Sequence, residues 1–135
     1  MSFFKIVFLC FVSWISHSAV TFASDDILPP EQAFKISVKV LNFDQIEVSW
    51  DIAKGHYLYR NHIKFESKTN QIAVLTPVFP AGEKKHDENF GDVIIYRNKL
   101  RIPVSFVASK EITAIKLEVQ YRGCADKGIC YPPQK

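Results

Sequence analysis

The residues best suited to chemistry are two cysteines near the end of the chain, in Gly123-Cys124-Ala125-Asp126-Lys127-Gly128-Ile129-Cys130. Five residues separate the thiols, and Asp126-Lys127-Gly128 has the composition of a tight turn that folds the two ends together. Facing positions on the arms of such a turn satisfy the Cα separation that a disulfide needs, roughly 4.4 to 6.8 Å. A bond there has two uses. As a staple it would stabilise little, because the chain-entropy estimate for a loop of about seven residues is ~2.4 kcal/mol, against ~4.7 kcal/mol for about a hundred. As a reagent it would open and close by attack of a thiolate on a disulfide sulfur. The spacing alone leaves both open.

Metal binding is the competing use of two thiols. His56, His62 and His86 are available as further zinc ligands, but the close pairing of ligands two to four residues apart is absent. Copper is disfavoured by a single methionine at the chain start. No Gly-rich phosphate loop, nucleophile elbow or paired catalytic carboxylates stand in the sequence. No metal and no organic cofactor are therefore expected. A net charge of +3 with 23% charged residues is only weakly basic, and the lysines are scattered, so nucleic acid is not a partner the sequence points to.

The first residues bear on the redox compartment. Lys5, the apolar run at 6–15 (IVFLCFVSWI) and Thr21-Phe22-Ala23 form the three parts of a secretory signal peptide, with cleavage expected after Ala23. A membrane span needs about 20 apolar residues, and Ser13, Ser16, His17 and Ser18 interrupt this one. Removal of residues 1–23 takes Cys10 with it and leaves Cys124 and Cys130 as the two thiols of residues 24–135. Export places them where disulfides form and persist.

The elements that must hold this pair are legible as alternation. In 34–40 the apolar residues Phe34, Ile36, Val38 and Val40 alternate with Lys35, Ser37 and Lys39, the period of a half-buried strand. The same pattern recurs at Ile46, Val48, Trp50 and Ile52, at Leu100, Ile102, Val104 and Phe106, and at Ile115, Leu117, Val119 and Tyr121. Tyr57 and Tyr59 fall on one side of an extended segment, 72–78 and 93–96 are strand-like, and 83–91 forms one long polar segment in which Phe90 is the lone aromatic. A chain of 135 residues with 47% hydrophobic content supports one domain with a modest core. Short strands, regular turns and no helical period predict an all-β, two-sheet antiparallel sandwich. A strand pairing with 115–121 is expected beyond Gln134-Lys135, so the sandwich is read as short of its last strand.

Gly123 to Pro133, read as Gly-Cys-Ala-Asp-x-Gly-x-Cys-Tyr-Pro-Pro, resembles the active-site segment of the N-terminal periplasmic domain of the thiol:disulfide interchange protein DsbD. The resemblance extends upstream through Gly55-His56-Tyr57-Leu58-Tyr59-Arg60, Ile95-Tyr96-Arg97 and Pro30-Glu31-Gln32-Ala33-Phe34, in the family's order. It implies an immunoglobulin-like antiparallel β-sandwich in the periplasm, acting as a protein-disulfide reductase within a relay. Cys130 would be the interchange thiol that forms mixed disulfides, and Cys124 its resolving partner. Electrons would come from a thioredoxin-like donor domain fed by a membrane relay, in trans or in a part of the chain beyond these residues. They would go to periplasmic thiol proteins such as a disulfide isomerase and the cytochrome c maturation thioredoxin.

The family's cap loop, which shields the pair, corresponds to Asp87-Glu88-Asn89-Phe90-Gly91, with Phe90 the cap. This loop is one residue shorter and has a single aromatic where the family has two. Tyr57 and Tyr59 are expected to line the site, and Asp87 and Glu88 to tune the local proton balance. The alternative is a non-catalytic exported sandwich that binds a partner, with Cys124–Cys130 a simple staple.

Overall fold

A computed structural model describes residues 27–108 and 113–135. The expected signal peptide at 1–23 and Cys10 lie outside the described residues. Among these no helix is long and apolar enough to cross a membrane.

The chain enters through one helical turn, α1 (Pro30–Ala33), started by a proline at its first position where no amide bond is lost. Then β1 (Phe34–Asn42) and β2 (Gln45–Ile52) form a hairpin, its turn fixed by Asn42 Oδ1 accepting the Asp44 N–H at 3.1 Å. After β3 (His56–Tyr59) a 3-10 turn at Arg60–His62 leads to β4 (Lys64–Ser67) and β5 (Ile72–Val74). Next come β6 (Glu83–Asp87), β7 (Gly91–Tyr96) and β8 (Lys99–Ala108). The chain continues through β9 (Leu117–Gln120), β10 (Gly123–Ala125) and β11 (Ile129–Cys130).

All pairings are antiparallel and fall into a sheet β1-β2-β8-β5, a sheet β11-β10-β3-β7-β6 and the pair β4-β9. The alternating residues of β2 and β8 meet in register, Trp50 opposite Leu100, Val48 opposite Ile102 and Ile46 opposite Val104. They pack with Leu58, Tyr96, Tyr121 and Tyr131 of the facing layer into one core. This is the expected two-layer antiparallel sandwich.

Three elements differ from expectation. In β1 only Phe34 is buried, while Ile36, Val38 and Val40 stay 43, 58 and 72% exposed. As the edge strand, β1 overhangs the facing layer beyond a groove of about 410 Å³ between Ile36 and Leu117–Val119. Alternation marks which residues share a face and does not say that another layer reaches it. The second difference is at 83–91, where five of the polar residues form β6 against β7. An edge strand outside the main core has no reason to be apolar, and Lys84 and Lys85 guard it against pairing with other chains. The third is β5, which stops at Val74 instead of reaching 78. Past Cys130, the Tyr121–Gln134 bridge returns the chain along the end of β9.

Gly123 joins this fold to the cysteines. It sits opposite Leu58 on β3, and a Cβ there would lie 2.5 Å from both the Phe34 ring and the Tyr57 carbonyl oxygen. The oxygen belongs to the backbone and cannot step aside. Gly123→Ala is therefore expected to destabilise the domain by about 2–3 kcal/mol, read as a lower urea midpoint; an unchanged midpoint would show that β10 and β3 do not approach so closely.

Candidate functional site

β10 is a three-residue strand with a partner on each side. Cys124 pairs with Tyr57 of β3 on one edge and with Cys130 of β11 on the other. The loop 126–128 closes the β10–β11 hairpin, with Gly128 at φ +84° and its N–H bonded to the Ala125 carbonyl at 3.0 Å. A left-handed glycine at the end of a three-residue loop is a standard hairpin solution. The facing cysteines have Cα atoms 4.0 Å apart and are joined by a disulfide.

Alternation then dictates the company they keep. Residues paired across antiparallel strands share a face, so Cys130, Cys124, Tyr57, Tyr59, Ile95 and Val93 all lie on one side of the five-stranded sheet. That side is opposite the one carrying Leu58 into the main core. Tyr57, Tyr59, Val93, Ile95 and Cys124 form a second, smaller apolar cluster, with Cys130 at its margin. Both faces of β3 are thus covered, which is why all four of its residues are buried. Cys124 has no exposed surface, whereas Cys130 is half-buried.

Asp87 ends β6 on the same face. Its Oδ1 accepts the backbone N–H groups of Asn89 and Phe90 at 2.9 and 3.1 Å, and its Oδ2 accepts the Tyr59 hydroxyl at 2.6 Å. Burial, followed by these bonds to Asp87, pushes the Tyr59 hydroxyl well above its ordinary range, so it stays protonated. The Tyr59 hydroxyl bond, and then the two amides, hold the Asp87 carboxyl below the usual aspartate value against the opposing effect of burial. Tyr59 has one proton and gives it to Asp87. Its oxygen stands 3.2 Å from Sγ of Cys124 and 3.9 Å from Sγ of Cys130, and Tyr57 donates to it at 3.4 Å. A disulfide sulfur carries no proton, so the sulfur approaches are contacts; once reduced, the Cys124 thiol has a lone pair of Tyr59 Oη within reach.

The turn 88–90 bends back over this cluster, with Gly91 at φ +68°. The Phe90 ring meets Tyr59 edge-on at 5.2 Å and His62 at 4.9 Å, and the Arg122 guanidinium lies over it at 5.3 Å. Phe90 remains 37% exposed. Burial, together with the charges of Arg122 and Lys64, lowers the His62 pKa below its ordinary value.

The structure thus brings together Cys124, Cys130, Tyr57, Tyr59, Asp87 and Phe90. Asn89 contributes its backbone amide, and the Glu88 side chain is exposed on the turn. Sequence reasoning named His62 only as a possible zinc ligand and missed Arg122. Arg122 stands two residues before Cys124, and a cation so close to a cysteine was a usable signal. Among the described residues no group of three His, Cys, Asp or Glu side chains is arranged to hold a metal. With its chemistry concentrated in one disulfide, the site is suited to thiol–disulfide exchange.

An immunoglobulin-like sandwich with a disulfide seated on an aromatic face defines a class of thiol-redox domains. The family described as "Thiol:disulfide interchange protein DsbD, N-terminal" matches residues 24–135, and the chain belongs to that family. It is 41% identical over 122 residues to the thiol:disulfide interchange protein DsbD of Actinobacillus pleuropneumoniae, covering 89% of this chain and 20% of the relative. It is 39% identical to DsbD 1 of Pseudomonas aeruginosa over 79% of this chain and 18% of that protein. The chain therefore spans about a fifth of the length of these curated relatives. Among solved structures it resembles the reduced N-terminal domain of Neisseria meningitidis DsbD, with a TM-score of 0.65, 34% identity and coverage of 80% of this chain and 84% of the other. It resembles equally the structure of a complex between the N-terminal domains of DsbD and PilB from the same organism, with a TM-score of 0.63, 35% identity and coverage of 82% and 84%.

The depressed Asp87 carboxyl has a consequence for acid stability. Its contribution is fully present above the unfolded-chain value of about 3.9 and is lost as pH falls through the lower folded value. Asp87→Asn should therefore flatten the fall of the urea midpoint between about pH 5 and 2. Parallel pH profiles for the two proteins would show that Asp87 is not held by Tyr59 and the turn amides.

Proposed function

We propose that this domain passes electrons between proteins through reversible opening of the Cys124–Cys130 disulfide, in the periplasm, after export directed by residues 1–23. The observation that carries the proposal is the unequal burial of the two sulfurs. Cys130 is half-buried at the sheet edge, while Cys124 is enclosed by Tyr57 and Tyr59. A partner can reach only the first, which suits Cys130 as the interchange thiol and Cys124 as the resolving one.

The Cys130 thiolate attacks one sulfur of a client disulfide, forming a mixed disulfide and releasing the other client sulfur as a thiolate. Cys124, its proton passing to the departing client thiolate, attacks Sγ of Cys130 and expels the second client sulfur. The client gains two electrons and its two thiols take up two protons, while Cys124–Cys130 is oxidised. Recharging runs in reverse, with a thioredoxin-like donor attacking Sγ of Cys130. The donor is served by a membrane relay, in trans or in a further part of a longer polypeptide. Clients of the expected chemistry are periplasmic thiol proteins, such as a disulfide isomerase and a cytochrome c maturation thioredoxin. The Neisseria domain's complex with the PilB N-terminal domain supports a site that receives a protein partner. Phe90, carried by the turn 88–90 over Tyr59, acts as the cap.

Two measurements test this. In Cys124→Ala, the lone Cys130 should accumulate mixed disulfides with thioredoxin-like proteins, while Cys130→Ala should accumulate few. Equal trapping by both would reject the assigned roles, and none by either, with an oxidised domain that resists every thioredoxin-like reductant, would leave an inert binding sandwich with a staple. Loss of two ring contacts of about 0.5–1.5 kcal/mol each predicts that Phe90→Ala speeds alkylation of the reduced pair by about tenfold; an unchanged rate would remove Phe90 from the cap.

A further inference from the structure

Cys130 sits on a two-residue strand at the edge of its sheet, paired only with β10 among the described residues. While the disulfide is closed, the covalent bond keeps the hairpin shut. Once it opens, something else must keep the two sulfurs adjacent, because the ease of re-closing a disulfide depends on how often its thiols meet.

Arg97 is placed to do this. It follows β7 directly, and the next residue, Asn98, takes φ +61° as the chain reverses into β8. From there Nη1 and Nη2 donate to Oδ2 and Oδ1 of Asp126 at 3.0 and 2.8 Å, a two-pronged ion pair with the first residue of the hairpin loop. Such forked contacts fix orientation as well as distance. Three further contacts surround this pair. The guanidinium lies 5.1 Å from the centre of the Tyr57 ring, Arg97 Nε is 3.3 Å from Glu83 Oε2, and the Asp126 N–H donates to the Gly55 carbonyl at 2.8 Å. Tyr57 is the strand partner of Cys124. One side chain therefore spans from the ring beside Cys124 to the loop that carries Cys130, without touching either sulfur.

We propose that Arg97 is a positioning residue which, through Asp126, holds the β10–β11 hairpin closed in the dithiol form and so sets the redox potential of the Cys124–Cys130 pair. The inference rests on the exchange function proposed above and assigns it a tuning element. Loosening the clamp leaves the oxidised form almost unaffected, since the disulfide already closes the loop. It lowers the frequency with which the reduced thiols meet, and so shifts the balance toward the dithiol.

The test is the equilibrium of the purified protein with dithiothreitol, in which two electrons and two protons pass to the disulfide as the reagent cyclises. Asp126→Asn, which keeps Arg97 over Tyr57 and beside Glu83, should favour the dithiol by about threefold. That is ~14 mV less negative at 29.6 mV per tenfold change. Arg97→Ala should do the same, the double variant should shift no further than either single, and Arg97→Lys should recover only part. Unchanged equilibria, or shifts that simply add, would overturn the clamp. So would an equal loss of urea midpoint in both redox forms with the equilibrium unmoved, the mark of a purely structural ion pair. Because dithiothreitol stands in for any partner, failure of protein-to-protein exchange would sink the proposed function while leaving the clamp measurable.

Discussion

The register of β10 against β3 is the constraint on which the site depends. Cys124 opposite Tyr57 and Gly123 opposite Leu58 place the sulfur on the aromatic face and the glycine toward the core. A slip of one residue would reverse every side chain, burying the place of Cys124 against Phe34 and turning Gly123 to the tyrosines. The register is held from the core side, where the Gly123 hydrogen lies so near the Phe34 ring and the Tyr57 carbonyl that no larger residue fits. Packing in the main core thus decides the geometry of a disulfide on the other side of the sheet.

How much of this could be read from the sequence follows from how each strand is covered. β2 and β8 have one face in the core and one in water, so Ile46, Val48, Trp50, Leu100, Ile102 and Val104 alternate with polar residues and were legible. The turn at Asp126-Lys127-Gly128 was equally plain, because only a short list of residues suits such a loop. β3 is covered on both faces, and its His-Tyr-Leu-Tyr run does not carry the alternation of a half-exposed strand. β6 was invisible for the opposite reason: its residues reach the aromatic face through Asp87 and through Lys85, whose Nζ lies 5.5 Å from the centre of the Tyr57 ring, and never enter the main core, so no apolar period marks it. β1 shows the converse error, a correct period with no layer opposite Val38 and Val40.

The long-range pairs were harder still. Tyr59 and Asp87 are 28 positions apart, and Arg97 and Asp126 29. Nothing in a single sequence joins them, since each depends on how β7 brings its neighbours together. Family resemblance named Tyr59, Asp87 and Phe90 as a group, and the hydrogen bonds give the physical content. One carboxylate organises the turn by accepting two of its amides and at the same time fixes the only proton of the hydroxyl beside Cys124. The turn and the sulfur are therefore connected through one carboxylate and one hydroxyl.

The order β11-β10-β3-β7-β6 puts Cys130 on one edge of the sheet and the turn 88–90 on the strand at the other, with the aromatic floor on the strands between. That division lets the same sheet be rigid and accessible. The central strands are paired on both sides and fix Tyr57, Tyr59 and Cys124, whereas among the described residues each edge strand is paired on one side alone. Open edges invite pairing with other chains, and each is blocked by different chemistry. β6 carries Lys84, Lys85 and His86, and β11 is two residues long and followed by Tyr131, Pro132 and Pro133, two of which have no amide hydrogen to donate. The half-buried sulfur of Cys130 thus lies at an edge too short to accept a strand, which restricts what can approach it to an encounter through side chains and sulfur.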